Sequence, residues 1–102
     1  MNPKVEDDLK PIASMVSIVA RVFGLEVADL VSRSRVAEVA EARQVAMYIG
    51  WHFQGYTLTT IGQALGGRSA ATVSHGYQVI AQRLRTSERL RRKVEKVESI
   101  HY

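Results

Sequence analysis

The sequence predicts an all-α fold, a small multi-helix domain with a central long helix and a helix-turn-helix motif. Three observations carry this. Apolar residues recur at steps of three and four in several segments, the period of a helix with one buried face. Gly66-Gly67 separates two such segments with a very tight turn, since glycine enters left-handed conformations without steric cost. Thr57, Ser69 and Ser87, all good N-cap residues, stand just before three of the predicted helices.

In chain order, Asn2 can cap a helix with Pro3 at its first position, and Glu6, Asp7 and Asp8 suit its dipole. Pro11 is expected to interrupt or restart that helix. Ile12, Met15/Val16, Val19 and Val22/Phe23 form the next stripe, and Gly24 ends it as a C′ residue. Leu25, Val27 and Leu30 mark a short piece from Glu26 to Val31. Ser32-Arg33-Ser34-Arg35 reads as a polar basic loop. Val36 to Phe53 is expected to be the longest helix, its stripe Val39, Ala42, Ala46, Ile49 and Phe53. Gln54-Gly55-Tyr56 connects it to the motif.

The motif runs from Thr57 to Leu84. Its first helix spans Leu58 to Leu65. Its second begins near Ser69 and buries Val73, Tyr77, Ile80 and Leu84. Thr72, His75, Val79 and Arg83 lie opposite, and Arg68 stands just before the helix. Two helices with a glycine turn, the second fronted by arginine and small polar residues, fit a DNA-reading motif. They also fit an αα-hairpin that only packs. A final helix after Ser87 carries Leu90, Val94, Val97 and Ile100 on one face and Arg89, Arg91, Arg92, Lys93 and Lys96 on the rest.

The chain has 102 residues, enough for a single domain over 1–102 with its core at about 12–98. The 46% hydrophobic and 24% charged content argues against disorder. No run is apolar enough to span a bilayer and no signal-peptide pattern appears. The absence of cysteine excludes disulfides and thiolate metal sites and fits a cytosolic protein. The net charge of +4 is uneven. Residues 1–51 hold six Lys+Arg and seven Asp+Glu, net −1; residues 52–102 hold eight and three, net +5. The positive half begins with the motif, and a basic face attracts a polyanion.

RSRVAEVAEARQVAMYIG (Arg33–Gly50), TLTTIGQALGGR (Thr57–Arg68) and ATVSHG (Ala71–Gly76) resemble the C-terminal DNA-binding domain of the bacterial replication initiator DnaA family. The Phe-Gly-Leu…Asp-Leu spacing that starts at Phe23 is also similar. The resemblance covers Val16 to Val97, with order and spacing matching without gaps through the core. It implies a double-stranded DNA partner, with replication or transcription proteins as further partners, and a cytoplasmic, nucleoid-associated location. By the same resemblance, Arg35 enters the DNA minor groove, where the negative potential is enhanced. Arg43 and Gln44 touch the phosphate backbone. The helix from Ser69 reads the major groove. The resemblance thus assigns DNA-binding roles to Arg35, Arg43, Gln44, Thr59, Arg68, Ser69, Ala70, Ala71, Thr72 and His75. The residues alone leave alternatives, surface solvation for Arg35 and pairing with an acid on its own helix for Arg43. Trp51 replaces a position usually basic in the family and is expected to pack.

The departures are concentrated at the second motif helix. The signature reads GGRSAATVSHG where the family has GGRDHxTVxHA. Ser69 stands for aspartate, Ala70 for histidine and Ala71 for threonine or serine, while Thr72 and His75 are kept. Alanine side chains make no hydrogen bonds, though they pack on a thymine methyl. Thr59 replaces a frequent proline. Each missing base interaction costs about 1–3 kcal/mol, so weak binding to the family's usual nine-base site is expected. No GxxxxGK[ST] phosphate loop occurs, so the family's ATPase module is absent from this sequence and no cofactor is expected. The Met1 start and acidic lead suggest a small stand-alone protein.

The leading expectation is a sequence-selective double-stranded DNA-binding domain with altered specificity, acting in replication or transcription control. The alternative is a protein-interaction module that kept the scaffold, with Gly76 permitting close approach of another backbone. An enzyme is not expected: His52, His75 and His101 lack metal-ligand spacing, Asp7-Asp8 sit near the terminus, and no nucleophile elbow appears.

Overall fold

Ile12, Met15, Val16 and Val19 are all buried, which makes the first apolar stripe the seam on which the other helices assemble. The computed structural model describes the backbone of residues 3–101 and the side chains of residues 11–100. Within these, α1 spans Pro3–Val22, α2 Val27–Val31 and α3 Ala37–Tyr48, continued by a π-helical turn over Ile49–Phe53. Then come α4 (Leu58–Ala64), α5 (Ala70–Arg83) and α6 (Glu88–His101). No strand occurs among the described residues, as the all-α reading expects. The cap expected at Asn2, the Asp7-Asp8 side chains and the His101 ring lie outside the described residues.

α3 is the pillar: it packs on α1, α2 and α5. It is buried on several sides, with Val39, Ala42, Val45, Ala46 and Met47 in the core. It is not the longest helix, as the sequence suggested. That is α1, with 20 residues against 12 in α3. Pro11 lies inside α1 and does not interrupt it. A proline forgoes one helical hydrogen bond, and the buried stripe beyond Pro11 holds the helix. The pillar leaves α-geometry at Ile49, where the backbone widens for one turn, and this throws Phe53 outward. Phe53 is 43% exposed rather than buried as its spacing indicated. Ile100, expected on the buried face of α6, is likewise exposed, past the end of the core.

The caps are those the sequence indicates. Thr57 Oγ1 accepts from Thr60 N at 3.1 Å, Ser69 Oγ from Thr72 N at 3.2 Å and Ser87 Oγ from Leu90 N at 3.1 Å. Gly24 closes α1 with φ +69.

The motif turn depends on three glycines. Gly66 and Gly67 both adopt positive φ, +83 and +81. This lets Gly67 N and Arg68 N donate to Gly62 O at 3.0 and 2.9 Å. Gly62 itself faces the returning chain so closely that a Cβ there would stand 2.0 Å from Arg68 O. Gly76 plays the equivalent part between helices: a Cβ there would meet Met47 Sδ at 2.2 Å. The close approach that Gly76 permits is therefore to α3 of the same chain, not to an outside partner's backbone.

The last helix is attached to the rest by charge as well as by Leu90, Val94 and Val97. Glu41 on α3 accepts from Arg83 of α5 and Arg89 of α6, both at 2.7 Å. Burial raises the pKa of Glu41, but the hydrogen bonds and charges of Arg89 and Arg83 outweigh this and leave it lowered. Lys93 donates to Val22 O at 3.2 Å and lies over the Phe23 ring.

Gly62→Ala is expected to lower stability by about 2–3 kcal/mol in urea unfolding, because backbone must move. Gly76→Ala is expected to cost less, because a flexible thioether yields in its place. Glu41→Gln is expected to destabilise the domain at neutral pH. A lowered folded pKa contributes stability above the ordinary glutamate value, 4.5, and loses it as pH falls through the folded value. The urea midpoints of the wild type and Glu41→Gln are therefore expected to converge in acid.

Candidate nucleic-acid interface

The basic loop lies against the motif turn because two arginines hold it there. Arg43, on α3, is only 7% exposed. Its Nε donates to Leu30 O at 2.8 Å and its Nη2 to Ser32 O at 3.0 Å. Longer contacts run to Ser34 O and Asp29 O. Arg43 thus satisfies carbonyls left open where α2 ends and the loop begins. Arg68, just before α5, donates through Nη2 to the same Ser32 carbonyl at 2.7 Å and through Nη1 to Leu65 O. The alternative of an Arg43–carboxylate pair is not what forms. No acid takes part, and the guanidinium fork is spread over main-chain oxygens.

These contacts create a cleft of about 510 Å³ lined by Arg33, Ser34, Arg35, Arg43, Arg68 and Thr72. Four of the six lining residues are arginines and none is acidic. Burial and then the charge of Arg68 lower the pKa of Arg43; burial and then the charge of Arg33 lower that of Arg68. Even so, the Arg43 and Arg68 guanidiniums stay protonated at neutral pH. The cleft is therefore a concentration of positive charge without internal compensation, the electrostatic complement of a phosphate or of an electronegative groove.

The other predicted residues are grouped around it. Ser69, Ala70, Ala71, Thr72 and His75 are exposed along the first two turns of α5. Ser69 and Thr72 also join hydroxyl to hydroxyl at 3.0 Å. Gln44 is half-buried under the middle of α5, its Cγ 3.4 Å from where a Cβ on residue 76 would lie. Thr59 is exposed on α4, and Arg35 is exposed in the loop. Arg33, not singled out from the sequence, joins the cleft; its place in the same Ser-Arg-Ser-Arg run was the available signal. Trp51 does pack, tilted against Tyr77 with ring centroids 5.5 Å apart, yet it keeps 39% exposure. No group of three His, Cys, Asp or Glu able to hold a metal occurs among the described residues. No helix of the described residues is long and apolar enough to cross a membrane.

The fold and this site define a helix-turn-helix domain whose second motif helix stands beside an arginine cleft. Over residues 12–80 the chain matches the family model described as the bacterial dnaA protein helix-turn-helix, and it belongs to that family. It is 41% identical over 80 residues to the chromosomal replication initiator protein DnaA of Latilactobacillus sakei, covering 78% of this chain and 18% of that protein. It is 33% identical over 82 residues to the DnaA of Porphyromonas gingivalis, covering 80% and 17%. The DnaA of Lacticaseibacillus casei is 34% identical over 89 residues, covering 87% and 20%. The chain thus spans about a fifth of the length of these curated relatives.

Arg43→Ala is expected to cost about 3 kcal/mol in stability, since it strands several loop carbonyls at once. Arg35→Ala is expected to stay within about 0.5 kcal/mol. Chemical denaturation of the two variants checks this difference.

Proposed function

We propose that this domain binds double-stranded DNA sequence-selectively, with α5 in the major groove and Arg35 in the adjacent minor groove. The observation that carries this reading is the four-arginine cleft beside the exposed start of α5. Arg33 takes a phosphate at its mouth, Arg68 adds charge there while its Nη2 stays on Ser32 O, and Gln44 supports the backbone contact under α5. Thr59, at the exposed start of α4, lies toward the same backbone. Arg43 acts differently from the surface arginines. Its hydrogen bonds are given to the loop, so it presents Arg33 and Arg35 and adds charge rather than a free fork. Ser69, Ala70, Ala71, Thr72 and His75 meet the groove floor with a base code unlike the family's, so the usual nine-base site is bound weakly. The relatives are named chromosomal replication initiators. The part assigned to this chain is at DNA in the cytoplasm, in the control of replication initiation or of transcription, without catalysis of its own.

The test is a salt titration by fluorescence anisotropy on duplex DNA. Log affinity is expected to fall linearly with log salt, and Arg33→Ala/Arg35→Ala to make the slope shallower by about 1–2, near 0.9 for each phosphate no longer neutralised. Absence of duplex binding at low salt would sink the reading. Partner binding that persists at high salt and ignores DNA would favour a protein-interaction module in its place.

A further inference from the structure

The tip of α5 offers few side-chain groups to read bases. Ala70 and Ala71 carry only methyl groups, and the Ser69 and Thr72 hydroxyls bond to each other. The same outward stripe continues past the tip. Ala71, Ser74, His75 and Gln78 follow one another at steps of three, one and three, so they share one face of the helix. Ala71, His75 and Gln78 are exposed and Ser74 is half-buried between them.

Gln78 is held in place. Its Nε2 donates to Ser74 Oγ at 3.0 Å. A carboxamide has two N–H donors and one carbonyl acceptor. With one N–H given to Ser74, a second N–H and the carbonyl oxygen remain. That pair complements the major-groove edge of adenine, which shows an N7 acceptor beside an N6 amino donor. Restraint by Ser74 in the unbound protein also lowers the ordering cost of such a contact.

We propose that Gln78, positioned by Ser74, reads an adenine in the major groove, so that sequence readout is displaced along α5 from the alanine tip. This rests on the DNA-binding reading above. The competing explanation is a surface pair one helical turn apart that only adds helix stability.

The experiment is selection of bound duplexes from a random library with the full chain. Titration of the selected duplex and of each single-base substitution follows, for wild type, Gln78→Ala and Ser74→Ala. Wild type is expected to require an adenine whose replacement weakens binding about 5- to 150-fold. Gln78→Ala is expected to remove that penalty at that position alone. Ser74→Ala is expected to shrink it while circular dichroism shows helix content unchanged. If Gln78→Ala keeps every wild-type base penalty, or loses affinity equally for all sequences, Gln78 reads no base and the DNA-binding reading stands. If Ser74→Ala leaves the penalty untouched, the positioning role is wrong. If wild type selects no motif and binds no duplex at low salt, both readings fail together.

Discussion

One main-chain oxygen, the carbonyl of Ser32, receives a guanidinium from each side. Arg43 reaches it from the central helix and Arg68 from the motif turn. The arginine cleft depends on this junction. A loop of two serines and two arginines has little apolar surface to bury, and inside it run only short serine hydrogen bonds, from Ser34 N to Ser32 Oγ and from Val36 N to Ser34 Oγ. Left to itself it would keep its conformational entropy. Charge-assisted hydrogen bonds from two half-buried or buried arginines replace the missing packing. The like charges that converge there raise each other's cost of ionisation, and an arriving anion relieves this. The same contacts therefore hold the loop and keep its positive charges close together.

The net charge overstates how much of the molecule is available to a polyanion. Arg83 and Arg89 converge on Glu41, Arg91 donates to Leu84 O, Lys93 to Val22 O, and Arg92 pairs with Glu88. Apart from the Arg92–Glu88 pair, which lies within α6, these contacts attach α6 to α1, α3 and α5. Arg33 and Arg35 have no ion pair or hydrogen bond of their own among the described residues, and they sit in the half of the sequence whose net charge is negative. Location in three dimensions, not the charge count along the chain, decides where an anion is drawn.

Glycine does two jobs in the motif. At the turn it allows consecutive left-handed residues. At Gly62 and Gly76 it allows backbone to approach backbone or a core side chain more closely than a Cβ would permit. The second job brings α5 down onto α3 and so sets how far its outer face projects. Gly76 is thereby a packing residue, and its presence in the rewritten signature concerns helix spacing rather than an outside partner.

The helices, their caps and most of the core were legible in the residues, because helical periodicity and N-cap chemistry are local properties. Val73 and Ile80, Leu90 and Val94, and the hydroxyls of Thr57, Ser69 and Ser87 all act as their spacing implies. The family resemblance rested likewise on contiguous motifs. Phe53 and Ile100 were misplaced because a π-helical turn and the end of the core are tertiary matters that no period reveals. The role of Arg43 was hidden for the same reason: its acceptors lie up to 14 residues away and become acceptors only once α2 ends where it does. Residue order alone sets the all-α class, the motif and the bare methyl groups of Ala70 and Ala71 at the tip of α5. Which arginines are taken up by structure, and which stay open to a ligand, was decided only by folding, since a guanidinium bonds whichever oxygens the packed chain brings to it.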